Sequence, residues 1–214
     1  MASGTNIRTH GTAEHEIHEE RTVDNPDLRL AEFVAPTQHK CISLLRDRLL
    51  ASLEEFGINC EHGEMQRTMA VEESLANAFY HGNLELDSAL KEDGSDRFAE
   101  LARERSQKEP WQNRRVRITE LATPFGLWIT IRDEGSGFDV QAALKRIEDP
   151  DPLALLASGR GLIMMKEFTD ALIFNPDGNE VTLVFYNKCN QDIAELLEER
   201  ARLRGASGGE ALTE

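Results

Sequence analysis

The sequence predicts an α+β fold built as a single domain. Three observations carry that reading. Two segments, Ile42 to Phe56 and Ala70 to Asn83, repeat apolar residues at helical spacing. Short runs of alternating apolar and polar residues come in pairs joined by turns, which predicts antiparallel hairpins. The chain of 214 residues is 40% hydrophobic, enough for one core with flexible ends.

Taken in order, residues 1–24 mix His10, His15 and His18 with Glu14, Glu16, Glu19 and Glu20 and offer almost nothing to pack. They are expected to be a flexible N-terminal segment, without fixed geometry for a metal. Leu28 to Val34 reads as a first strand at a sheet edge, ended by Pro36. Thr37 is the candidate N-cap of a helix bearing Ile42, Leu45, Leu49 and Phe56, which Gly57 stops. A second helix follows His62 and Gly63 and breaks at Gly82 and Asn83.

Residues 84–113 are a charged insertion with one surface helix from Asp96 to Lys108, closed by Pro110 and a packed Trp111. Val116 and Ile118 alternate with Arg115, Arg117 and Thr119, and after a turn at Pro124 and Gly126, Leu127, Ile129 and Ile131 share one face. Asp139 to Ser158, with Pro150 and Pro152, reads as a hinged lid. Ser158 to Gly161 open a helix to about Asp170, and strands Ala171 to Phe174 and Val181 to Tyr186 form the last hairpin around Asn175 to Gly178. The body of the domain is thus residues 25–190, and residues 191–214 hold a weak helical stripe, Ile193, Leu196, Leu197 and Leu203, in a flexible tail.

A formal charge of -15 opposes direct binding of nucleic acid or an anionic membrane surface. Cys41, Cys60 and Cys189 show neither CxxC spacing nor a disulfide framework, which suits a reducing cytoplasm. No apolar run approaches the ~20 residues of a membrane span. The polar N-terminus lacks the hydrophobic core of a signal peptide, so a cytoplasmic protein is expected.

Three short motifs carry the chemistry. On the second helix Glu73, Asn77 and His81 recur four apart, in one polar stripe at roughly 100° per residue, opposite Val71, Leu75, Ala78 and Phe79. Glu73 suits a proton acceptor and Asn77 a ligand for magnesium, which prefers oxygen donors, although ExxxN by itself also occurs in solvated helices. Asp133 prolongs the apolar row of Leu127, Ile129 and Ile131, and a carboxylate so placed needs a hydrogen-bond donor. That donor is either a backbone amide of the following turn or the exocyclic amine of a purine. Gly135 and Gly137 complete DxGxG, where glycine admits unusual backbone angles and the close approach of a planar base. Ser158, Gly159, Arg160 and Gly161 precede a helix whose amide-rich start suits a phosphate chain.

Together, ExxxN on a helix, DxGxGF after a strand and GRGL before a helix resemble the GHKL, or Bergerat-type, ATP-binding family. The phrases VEESLANAFYHGNLEL, RRVRI, IRDEGSGF, SGRGLIMMKEF and NEVTLV are similar to its anti-sigma-factor serine kinase branch, over about Leu28 to Asn187. The resemblance implies a two-layer α/β sandwich with helices on one face of a mixed, mostly antiparallel sheet. It implies ATP with magnesium, Asn77 as metal ligand and Glu73 as general base. Asp133 would bind adenine, Gly135 and Gly137 would shape the base pocket, and Ser158, Gly159, Arg160 and Gly161 would follow the phosphates. Thr182 would support adenine through a water. His81 is assigned to structure or lid support. The implied activity is phosphorylation of a serine or threonine on a small antagonist protein, with sequestration of a sigma factor and a homodimer as further expectations. The alternative is a nucleotide-sensing, partner-binding module without phosphoryl transfer.

Overall fold

The computed structural model describes residues 17–91, 96–148 and 160–188. Six strands form one sheet: β1 (His18–Asn25), β2 (Leu28–Pro36), β3 (Arg115–Thr123), β4 (Gly126–Arg132), β5 (Ala171–Phe174) and β6 (Glu180–Tyr186). Their order is β1-β2-β3-β4-β6-β5, and every pairing is antiparallel rather than mixed. The helices among the described residues are α1 (His39–Glu55), α2 (Glu64–Ala76), α3 (Arg97–Ser106), α4 (Val140–Glu148) and α5 (Arg160–Glu167). The chain is an α+β sandwich: its patterning predicts the helices and strands, and the family resemblance implies the layering.

Strand alternation sets the two layers. Ala31, Phe33, Val116, Ile118, Leu127, Ile129, Ile131, Leu183 and Phe185 turn to one face and meet Leu45 and Leu49 of α1 and Val71 and Leu75 of α2 in a single core. Each large apolar side chain sequestered there contributes about 1.5–3 kcal/mol. Residues of the other parity, such as Thr119, Trp128, Thr130 and Thr182, lie on the opposite face of the sheet. Two charged groups, Arg29 and Glu120, are buried at the core and share Ser52. Glu120 is fully buried, accepts a hydrogen bond from the Ser52 hydroxyl, and has its carboxyl pushed above the usual range by burial.

Three local expectations change. His18–Asn25 is a strand rather than part of a flexible segment, so β2 is interior and not the edge. Apolar periodicity misses β1 because ladder pairing and ions hold it: Arg48 reaches Glu19 at 3.4 Å and Arg29 reaches Asp24 at 2.9 Å. The N-cap of α1 is Gln38, and the Thr37 hydroxyl instead donates to the Arg114 carbonyl at 3.1 Å. The second helix does not stay α-helical: Asn77–Asn83 is a π-helical turn in which Leu84 N–H reaches the Phe79 carbonyl at 3.1 Å. Gly57, at φ 62, ends α1 in the left-handed conformation expected of a C-terminal glycine.

The insertion is tied down rather than merely solvated. Phe98 of α3 meets Tyr80 edge-on at 5.3 Å, and Arg105 donates to the Leu84 and Glu85 carbonyls while stacking on Trp111 at 4.7 Å. Of the proposed lid, α4 is described, and the remainder of that segment and the tail beyond 190 lie outside the described residues.

Candidate nucleotide site

Two elements converge beside the π turn. α2 carries Glu73 and delivers Asn77 at its end, and α5 packs along α2 with Met165 inward, 2% exposed. The Met165 sulfur takes the Ser74 hydroxyl at 2.7 Å and lies 3.9 Å from Asn77 Nδ2. The Asn77 amide thus turns its nitrogen to the sulfur and its oxygen to the other side. Glu73 stands against the start of α5, where a Cβ built on Gly161 would come 1.9 Å from Glu73 Oε1. The glycine holds the carboxylate in this place: a side chain there would displace the end of the Glu73 side chain.

At the other end of the turn, Gly82 faces the loop after β4. A Cβ on Gly82 would fall 2.3 Å from Asp133 Cγ, and one on Gly135 would fall 2.5 Å from the Gly82 carbonyl oxygen. Asp133 is therefore seated between two glycines. Its Oδ1 accepts the Gly135 amide at 2.8 Å, so the backbone partner foreseen for it exists. A carboxylate has room for further donors. Burial raises its pKa from 3.8 to about 6, opposed by that amide and by Arg114 and Arg132. An N–H donor arriving from a ligand would relieve the same penalty.

Gly137 has a different job from the one expected. At φ 71, its missing side chain makes room for the Asp177 carbonyl, 1.9 Å from where a Cβ would stand, while Gly178, at φ 72, does the same for Phe138. The two glycines lock the DxGxG loop onto the β5–β6 turn, and Phe138 packs edge-on against Phe174 at 5.6 Å. Gly135, not Gly137, borders Asp133.

Thr182 is not brought to Asp133. Its neighbours Val181 and Leu183 belong to the core, which turns Thr182 to the opposite sheet face, where its hydroxyl pairs with Thr130 Oγ1 at 2.8 Å. His81 also leaves the Glu73 stripe. The wider π turn rotates it away, and its Nδ1 meets the Leu86 carbonyl at 2.6 Å, a structural role as expected. Arg160 is the exposed first residue of α5, while Ser158 and Gly159 lie outside the described residues.

Sequence reasoning passes over Gly82, Asn83 and Met165. Gly82 and Asn83 read as a helix stop, and only the π turn reveals that they meet the β4 loop. The chemistry of the site fits a nucleotide with magnesium: a desolvated carboxylate with acceptor capacity, seated between two glycines, and one amide oxygen of the kind magnesium takes beside its waters. Among the described residues no group of three or more His, Cys, Asp or Glu could hold a metal by itself. Nor is any helix there long and apolar enough to cross a membrane.

A family model described as a histidine kinase-like ATPase domain matches residues 35–185. That span runs from the end of β2 through β6 and contains all of the geometry above. No curated protein matches the chain.

Proposed function

The chain belongs to the histidine kinase-like ATPase domain family, and from that premise we propose that it is an ATP-dependent serine/threonine kinase of the anti-sigma-factor type. Its substrate is a hydroxyl on a small antagonist protein, and its regulatory partner is a sigma factor, bound in the cytoplasm by this chain as a homodimer. The observation that carries the proposal is the position of Glu73 at the start of α5, one turn before Asn77. A carboxylate next to a phosphate-binding helix start can receive the proton of an attacking hydroxyl.

In this reading Asp133, seated between Gly82 and Gly135, accepts the adenine amine, and the first amides of α5 face the phosphates. Asn77 would hold magnesium, which would supply neutralisation of phosphate charge. Glu73 takes the proton of the substrate hydroxyl as its oxygen bonds to the γ-phosphorus. The bond from that phosphorus to the β–γ bridging oxygen breaks, and ADP leaves. Most of the rate comes from holding the reactants in line.

The test is titration of ATP and ADP, with and without magnesium, into the full chain and into Asp133→Asn and Asn77→Ala, followed by phosphate transfer to a candidate antagonist. Saturation at ~100 times the dissociation constant should stabilise the fold by about 2.7 kcal/mol. Binding lost in Asp133→Asn and magnesium dependence lost in Asn77→Ala support the pocket. Intact binding with no transfer to any antagonist would leave the nucleotide-sensing module instead.

A further inference from the structure

Asn83 is fully buried, yet its side chain is a polar amide that the kinase reading does not use. Its Oδ1 accepts the Glu134 backbone amide at 2.7 Å, and its Nδ2 donates to Thr37 Oγ1 at 2.8 Å. Thr37 passes its own proton to the Arg114 carbonyl at 3.1 Å, and the Arg114 guanidinium returns to the Asn83 carbonyl at 2.8 Å and to Glu85 at 2.7 Å. The circuit closes on itself. It joins the end of the π turn to the start of α1, the start of β3 and the loop after β4.

Its placement matters more than its size. Glu134 lies between Asp133, the acceptor, and Gly135, whose amide orients that acceptor. Asn83 follows Gly82, whose bare Cα admits the Asp133 carboxylate. One side chain therefore fixes both walls of the Asp133 seat at once. We propose that Asn83 is a positioning residue for purine selection, holding Asp133 where it accepts the 6-amino group of adenine and faces the 6-oxo group of guanine lone pair to lone pair. This inference rests on the nucleotide reading of the site. Buried acceptors discriminate strongly only when their geometry is fixed, because a carboxylate free to turn can rehydrate or find another donor.

Asn83 contacts no nucleotide in this scheme, so the readout must be selectivity rather than binding alone. ATP and GTP dissociation constants are measured calorimetrically for the full chain, Asn83→Ala, Asn83→Asp and Thr37→Val, with thermal unfolding run in parallel. Asn83→Ala should lose at least about tenfold in ATP affinity with little change for GTP, so that the preference collapses. Thr37→Val, which frees Nδ2 and the Arg114 carbonyl but leaves the bond to the Glu134 amide in place, should lose part of the preference, and it carries the test if Asn83→Ala fails to fold. Asn83→Asp keeps an acceptor for Glu134 and should retain more preference than Asn83→Ala. Hydrogen exchange at the Glu134 amide should quicken in Asn83→Ala. Equal weakening of both nucleotides in every folded variant, or an unchanged ratio, overturns the proposal while leaving the nucleotide site standing. If the unmutated chain binds neither nucleotide, or binds both alike, the proposal falls, and in the former case the kinase reading falls with it.

Discussion

The carboxylate of Glu73 rests against the backbone of Gly161, so close that a Cβ at that glycine would overlap Oε1. The proposed base therefore keeps its place because position 161 of the helix proposed to face the phosphates carries no side chain. Gly161→Ala should push the Glu73 carboxylate aside with a stability change of about 1 kcal/mol or less, because the end of a flexible side chain can move, and lower phosphate transfer more than ATP affinity. Thermal unfolding, calorimetry and single-turnover transfer read the three quantities.

Glu73→Gln keeps the shape and removes the base. ATP affinity should stay within about twofold, and transfer should fall by roughly 10²–10⁴, the usual contribution of a positioned general base. Transfer at the unmutated rate would remove Glu73 from the mechanism.

Asp133 makes a prediction in pH. Its pKa is near 6 in the folded chain against 3.8 unfolded, so between those values the folded state binds the proton more tightly. Stability therefore falls as pH rises through that window, and the full penalty of about 3 kcal/mol or less stands above pH 6. Asp133→Asn should unfold at a higher temperature than the unmutated protein at pH 8, differ little at pH 3.5, and bind ATP poorly at either. A variant less stable at pH 8 would mean that the carboxylate is not the strained group the geometry indicates.

Glu120 follows the same sign away from the site. Its pKa is raised by burial, so it too costs stability on the alkaline side of its titration. Glu120→Gln should lift the melting temperature at pH 8 and leave ATP affinity unchanged, because the side chain sits under α1 with Ser52 and not beside Asp133. Loss of ATP affinity in a folded variant would contradict that separation.

Thr182 divides the family-based expectation from the geometry. Thr182→Val removes a cross-strand hydroxyl pair and should cost less than about 1 kcal/mol, with ATP affinity kept within twofold. A tenfold loss would return Thr182 to the adenine site.

Much of this was legible in the residues, and the losses have physical reasons. Strand alternation placed Leu127, Ile129 and Ile131 on the core face and brought Asp133 to the edge of that row, and the last hairpin lay where Asn175 to Gly178 turn it. Glu73 and Asn77 were found by spacing because α2 is regular that far. β1 was missed because Glu19, Arg21 and Asp24 hold it by charge and ladder bonds, which hydrophobic patterning does not register. Gly82 and Asn83 were missed because their partners come from 51 residues away in sequence, in the Asn83 to Glu134 bond. Thr182 was carried by likeness alone, and strand parity decided against it.

The π turn has one more consequence. In an α-helix five residues advance about 140° beyond a full rotation, so Asn77 and Gly82 would look in divergent directions. Bonding five residues back widens the turn, so residues five apart diverge less, and the proposed metal ligand and the glycine that seats Asp133 stand at the two ends of one turn. A single helix thus spaces the two proposed contacts, Asn77 at one end of the turn and the seat of Asp133 at the other.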